Sequence, residues 1–264
     1  MLRKKSLGQH FLHSQHYLAM VADAAGLKPG ERILEIGPGD GALTAALLAR
    51  GAEVVAIEKD ARLIPVLEEK FMEEIREKKL SLIEGDVLEI GIETLELKNR
   101  AYKLVANIPY YITGAIMEKF LSASVQPSAM TLLVQKEVAE RIARDKKESI
   151  LSLSVKAYGT PRYVHTVPAG AFSPPPKVDS AILHIDAVSR ANFTTIEQEK
   201  RFFELVHAGF AHKRKLLARN LEPVLGKDYA RILKDAGVPE NARAEEMPLE
   251  VWLGLSKSKP HEHQ

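Results

Sequence analysis

The sequence predicts an α/β fold, a parallel sheet covered on both faces by helices, followed by a small all-helical C-terminal domain. Three observations predict it. Short apolar runs alternate with amphipathic runs from Ile33 to Asp145, and that alternation demands parallel strands with helices on both faces. A glycine-rich turn, Gly37 to Gly41, joins the first of those strands to the helix after it. Beyond Ala187 strand patterns cease and helical stripes take over. The division is therefore drawn as residues 1–187 for the sheet domain and 188–264 for the helical one, with a disordered tail.

Composition narrows the classes. With 264 residues, 45% hydrophobic and 27% charged, the chain is long enough for one large and one small globular domain. No apolar run approaches a membrane span, and the basic Met1 to Lys5 lacks the apolar core of a signal peptide. The absence of cysteine excludes disulfides and thiolate metal sites and points to a reducing, cytoplasmic setting. A net charge of +2 is too small to demonstrate a nucleic-acid partner, so any such case rests on local clusters.

In chain order, Ser6 to Gln15 holds His10 and His13, with His16 just beyond, at a spacing of three. That spacing faces one way only in a helix, and no carboxylate completes the set, so no metal is expected. Ile33 to Ile36 reads as a buried strand and Ala42 to Leu48 as a helix. Gly37, Gly39 and Gly41 between them let the backbone approach a ligand and aim helix N-terminal amides at it. Gly37, Gly39 and Ala42 also fit the dinucleotide pattern, so a dehydrogenase is the first competitor. The second strand ends at Glu58, where an acid can take ribose hydroxyls. One long helix is expected over Ala61 to Lys79, with Leu63, Val66, Leu67, Phe71 and Ile75 as its core stripe and Pro65 tolerated near its first turn. The third strand ends at Asp86, a second acid at a strand terminus.

The run Lys103 to Ala106 leads into Asn107-Ile108-Pro109-Tyr110-Tyr111. Proline has no N–H and forces Ile108 into an extended conformation, which fixes the angle of its carbonyl. The Asn107 side chain adds a second acceptor, and Tyr110 adds a flat face. Two acceptors and a stacking plate suit an adenine amino group. Gly37, Glu58, Asp86 and Asn107 each end a successive strand and should line one crevice, because ligands of parallel sheets sit beyond the strands' carboxyl ends. A dehydrogenase explains the glycines and Glu58 but neither Asp86 nor the Asn-Ile-Pro-Tyr socket. The combination resembles a Rossmann-like class I methyltransferase using S-adenosylmethionine, which implies glycine-loop contacts to the methionine end, Glu58 on the ribose and Asp86 on the adenine.

Leu132 to Asp145 is a strand followed by a helix, and Ser149 to Tyr158 is a further helix. Ala171 to Ile185 carries Pro174, Pro175 and Pro176, a stiff segment that holds Phe172 and Lys177 near the sheet edge, before an alternating strand from Val178. Gly8 to Leu12 (GQHFL), EIGPGDGALT, Asn107 to Tyr110, LLVQKEVAERI and FSPPPKVDSA together resemble the small-subunit ribosomal RNA adenine dimethyltransferases of the KsgA type, over nearly the whole length. The resemblance implies dimethylation of the exocyclic amine of two adjacent adenosines near the 3′ end of small-subunit ribosomal RNA, with a part in assembling that subunit. It implies cofactor contacts at His10, Leu12 and Asn107, and catalysis by Asn107, Ile108, Pro109 and Tyr110, with Phe172 closing the base's other face. The family usually has Asn at the position of His10 and Tyr-Gly where Glu148-Ser149 stands.

After the polar connector Val188 to Glu197, the residues Phe203, Val206, Phe210, Leu217 and Leu221 fall on one helical stripe, broken near Ala211. Lys213, Arg214, Lys215 and Arg219 have no acid among them. His212, Lys215 and Arg219 fall opposite the stripe, a solvated face suited to phosphates. The expected partner is small-subunit RNA or its precursor particle, bound by a monomer. The competing readings are a methyltransferase of large-subunit RNA of the macrolide-resistance type and a non-enzymatic RNA-binding assembly factor. Intact glycines, Glu58, Asp86 and Asn107 argue against the latter.

Overall fold

A computed structural model describes residues 10–258. Gly8 and Gln9 of the first motif, the basic Met1 to Lys5 and most of the expected disordered tail lie outside the described residues. Within that tail Ser256 still closes a helix. Two units emerge, residues 10–139 with 159–189 and residues 140–158 with 190–258. The expected boundary after 187 falls beside the second crossing, but 140–158, expected in the first domain, belongs to the helical unit.

The first unit is built on strands β1 (Phe11–Leu12), β2 (Arg32–Ile36), β3 (Glu53–Glu58), β4 (Leu80–Glu84), β5 (Tyr102–Asn107), β6 (Ala129–Gln135), β7 (Thr160–Val167), β8 (Phe172–Ser173) and β9 (Ser180–Asp186). Seven of them form one sheet in the order β4-β3-β2-β5-β6-β9-β7. The sheet is parallel except for β9, which runs antiparallel to both its neighbours. The antiparallel direction of β9 was not foreseen, because a strand pattern does not fix which way a strand runs, and β9 is buried along nearly its whole length. β1 and β8 pair separately, Phe11 opposite Ser173 and Leu12 opposite Phe172.

Helices α1 (Gln15–Ala24), α2 (Ala42–Leu48), α3 (Ile64–Lys70), α4 (Met72–Arg76) and α5 (Thr113–Leu121) connect these strands. Leu18, Val21, Leu43, Leu47, Leu67 and Phe71 join Val54 and Leu133 in one apolar cluster. The single helix expected over 61–79 is broken at Phe71, whose backbone leaves helical geometry (φ −117°, ψ 30°) while its ring stays buried. Val66, expected in the core, is 40% exposed for the same reason, since a short helix needs only a narrow buried face. Pro65 does sit in the first turn of α3.

Helix α6 (Lys136–Ala143) leads from the sheet, and α7 (Ile150–Tyr158), α8 (Ile196–Phe210), α9 (Leu217–Leu225), α10 (Tyr229–Asp235) and α11 (Leu249–Ser256) make up the second unit. Glu148-Ser149 builds the start of α7: Ser149 Oγ accepts the Ser152 amide at 3.1 Å, and Glu148 binds Lys156 at 2.5 Å. Thr195 caps α8 by accepting the Gln198 amide at 3.1 Å. The core of this unit is aromatic, with Tyr158, Phe193, Phe202 and Phe203 in mutual ring contact and Phe210 stacked on Trp252 at 5.9 Å. The stripe from 203 to 221 is carried by two helices, with the expected break near Ala211 at the end of α8. Buried Asn220 donates to the carbonyls of Gly209 (2.6 Å) and His212 (3.2 Å), taking up acceptors that the end of α8 leaves open. Lys213, Arg214 and Lys215 therefore lie on an exposed turn, and only Arg219 is on a helix, paired with Glu222 at 3.5 Å.

Gly209 gives this packing a direct test. A Cβ there would lie 2.4 Å from Cη2 of Trp252 and 3.0 Å from Leu217. Alanine gains about 1 kcal/mol of helix propensity, but overpacking costs about 1–3 kcal/mol. Gly209→Ala is expected to lower the unfolding free energy by up to about 2 kcal/mol in denaturant titration; an increase would mean that Trp252 yields freely.

Candidate active site

The register of the central strands builds the site. Ile36 of β2 pairs with Ile57 of β3 and with Ala106 of β5, so Gly37, Glu58 and Asn107 leave the sheet at one level. They open onto a cleft enclosing about 990 Å³, solvent-facing mouth included, lined also by His10, Leu12, Gly39, Asp86, Ile108, Pro109 and Tyr110. Gly41 and Phe172 do not line it. Phe172 is buried in the apolar cluster beside Leu12, where pairing of β1 with β8 holds it, so it is not placed to close over a base. Gly41 serves packing, since a Cβ at its φ of 77° would lie 2.5 Å from the Phe71 ring.

Glu58 organises the glycine loop. One carboxylate oxygen accepts the Gly39 amide at 3.0 Å and the other the Asp60 amide at 2.8 Å. Burial pushes its pKa up, and those two backbone bonds oppose the shift. Gly39, at φ 62°, passes so close to Phe11 that a Cβ would stand 2.7 Å from the ring. Gly37, at φ 69°, meets nothing nearer than 3.9 Å, which leaves its backbone open toward the cleft.

Asp86 lies two residues past the end of β4, on the turn that follows. Its Oδ1 accepts the Leu88 amide at 2.9 Å and its Oδ2 meets Lys59 Nζ at 2.5 Å. The Lys59 bond holds its pKa below the usual carboxylate range. Lys59 was not singled out from the sequence, where it reads as one more charge after a strand.

Pro109 (φ −56°, ψ 135°) turns the chain out of β5 into a single helical turn at Tyr110. Asn107 Nδ2 donates to the His10 carbonyl at 3.3 Å. Tyr110 is half-buried, its hydroxyl 2.6 Å from Ser180 Oγ at the start of β9, and burial raises its pKa. Ser180 was not singled out from the sequence. Tyr111 stands 69% exposed at the mouth. Among the described residues no group of three or more His, Asp or Glu side chains is placed to hold a metal, and none of the helices is long and apolar enough to cross a membrane. His13 instead approaches Asp40 at 3.6 Å, and His16 packs edge-on to Tyr17.

Beneath the loop, Glu35 is fully buried and neither carboxyl oxygen has a hydrogen-bond partner. Burial pushes its pKa up to about 8; the nearby Thr44 hydroxyl opposes this in part while standing outside hydrogen-bond geometry.

A sheet of this order, with a glycine loop, two acids and an Asn-Ile-Pro-Tyr turn at the carboxyl ends of its strands, defines a class I methyltransferase. The profile of the ribosomal RNA adenine dimethylase family matches residues 2–260, and the chain belongs to that family. Ribosomal RNA small subunit methyltransferase A of Dehalococcoides mccartyi is 43% identical over 96% of this chain and 87% of its own length. The protein of that name from Thermosynechococcus vestitus is 39% identical, with 96% of both chains covered. Among solved structures, a dimethyladenosine transferase from Plasmodium falciparum (TM-score 0.79, 26% identity) covers 93% of this chain and 96% of its own. The 23S rRNA methyltransferase ErmE (TM-score 0.76, 27% identity) covers 94% and 98%.

Glu35 yields a pH prediction. The folded state keeps its proton to about pH 8, whereas the unfolded chain releases it near 4.5, so stability is lost as pH rises between these values. Glu35→Gln removes that loss. The variant's melting temperature should exceed that of the parent by clearly more at pH 8 than at pH 5; an equal difference at both would show that Glu35 ionises normally in the fold.

Proposed function

We propose that the protein uses S-adenosylmethionine to dimethylate the exocyclic amine of two adjacent adenosines near the 3′ end of small-subunit ribosomal RNA, and takes part in assembling that subunit. The observation that carries the proposal is the shared cleft. The Asn107–Tyr110 turn stands in it beside the glycine loop, Glu58 and Asp86. The names of the relatives at 39–43% identity favour the small subunit over the large one.

The residues present suit the cofactor. Gly37 offers open backbone to the methionine end, Glu58 acceptors to ribose hydroxyls, and Asp86 an ionised acceptor to the adenine amine; His10, Leu12 and Asn107 complete the lining. When bound, S-adenosylmethionine supplies an already activated methyl group. The chain's own task is positioning and electrostatics. Asn107 Oδ1 and the Ile108 carbonyl accept the amine hydrogens and draw the nitrogen lone pair out of conjugation with the ring. The Tyr110 ring stacks on the base, anchored through Ser180, a contact worth about 1–3 kcal/mol. Water takes the proton that the nitrogen loses. The second transfer engages only one acceptor, since a monomethylated amine has one hydrogen left. The base must be unpaired or leave its helix to enter. Lys213, Arg214, Lys215 and Arg219, all exposed, supply phosphate contacts to the RNA, and the protein acts as a monomer in the cytoplasm.

Asn107→Ala is expected to leave the fold intact and cut methyl transfer to small-subunit RNA about a hundredfold at saturating cofactor. Tyr110→Phe should be mild and Tyr110→Ala severe. Radiolabelled-methyl assays giving the reverse order for Tyr110 would remove the stacking role.

The basic turn is tested by salt. Lys215→Ala with Arg219→Ala should leave the melting temperature and cofactor binding near those of the parent. The slope of log affinity for RNA against log salt should shrink by about 0.7–0.9 per lost contact. Parallel slopes would return these residues to a merely solvated surface.

A further inference from the structure

An amide side chain has two ends of nearly equal shape, and only its oxygen can accept an amine hydrogen. Catalysis by Asn107 therefore needs that oxygen turned to the substrate. The Asn107 Nδ2 end is committed to the His10 carbonyl at 3.3 Å, an acceptor that cannot tolerate the oxygen in its place. Oδ1 is left for the cleft that Asn107 lines. The position of the His10 carbonyl thus decides which way the catalytic amide faces.

His10 is itself tied down at its other end. It precedes β1, and β1 is held to β8 by two rungs, the outer one joining Phe11 to Ser173. The next rung would be His10 against Pro174, but proline has no N–H and cannot extend the ladder. The imidazole takes over, with Nδ1 lying 2.8 Å from the Pro174 carbonyl. A carbonyl only accepts, so Nδ1 carries the proton. The same ring lies nearly parallel to Tyr110, at 6.1 Å and 21°. One side chain thus meets the proline segment and the base-stacking tyrosine, while its backbone holds the catalytic amide.

We propose that His10 is a positioning residue for methyl transfer, orienting Asn107 through its carbonyl while the Nδ1–H bond to Pro174 and the Tyr110 ring fix that carbonyl in place. The proposal rests on the functional reading above and goes beyond cofactor contact at His10. It also accounts for the exchange with the family's usual Asn, since an asparagine Nδ2 and a histidine Nδ1 are both one bond from Cγ. Either can present an N–H to the Pro174 carbonyl.

The test uses the full-length protein with cofactor and small-subunit RNA. His10→Leu should lower kcat about 10- to 100-fold, the usual scale for losing an orienting partner, with the loss persisting at saturating cofactor and KM for RNA within about twofold of the parent. His10→Asn should recover most of that loss. Unchanged kcat in His10→Leu, a loss confined to cofactor affinity, or Asn no better than Leu would each overturn the proposal. A second measurement needs no variant: 15N spectra of the histidine-labelled protein should show His10 protonated at Nδ1, and a proton on Nε2 with Nδ1 bare would overturn it. That spectrum is independent of activity, whereas failure of the parent protein to methylate small-subunit RNA would instead defeat the functional reading.

Discussion

The register of three parallel strands is the constraint on which the site depends. Because Ile36 stands level with Ile57 and Ala106, the chain leaves the sheet at Gly37, Glu58 and Asn107 on one plane. A slip of one residue in β5 would turn Asn107 to the opposite face, since side chains alternate along a strand. Burial enforces the register: Leu34, Leu104 and Val105 are wholly inaccessible, so a shifted pairing would leave core positions unfilled.

On that plane each residue does two jobs. Glu58 offers acceptors to the cleft while its oxygens hold Gly39 and Asp60, so the acid and the glycine loop form one rigid piece. Tyr110 presents a ring and is pinned through Ser180 on β9, so the antiparallel strand reaches the site as well. Asp86 is kept ionised by Lys59 and aimed by the Leu88 amide. Groups held in advance need no reorganisation when charge develops, which is where electrostatic catalysis gains its advantage.

Much of this was legible in the residues. Ala42–Leu48 and Glu58 fall where apolar periodicity and strand-end logic place them. The sequence failed where a long-range contact overrides a local pattern. The stripe from Leu63 to Ile75 reads as one helix, yet burial of Phe71 under Gly41 breaks it. The break of the Phe203–Leu221 stripe near Ala211 was readable, but its partner Asn220, whose amide satisfies carbonyls eleven and eight residues earlier, was not. Phe172 was drawn toward the base by its neighbouring prolines, but pairing of β1 with β8 sends it into the core. Lys59, Ser180 and the three contacts of His10 carry no local signal, because each matters only through a partner distant in sequence.

Methyl transfer by this cleft to adenine amines of small-subunit RNA is the activity on which all these roles converge. It is tested most directly by incubating the purified protein with S-adenosylmethionine and small-subunit particles from cells lacking this methylation, then sequencing the digested RNA by mass spectrometry. Two adjacent N6,N6-dimethyladenosines near the 3′ end are expected, with no modification of large-subunit RNA. Methylation elsewhere, a product confined to large-subunit RNA, or no methyl transfer by the folded protein would contradict it.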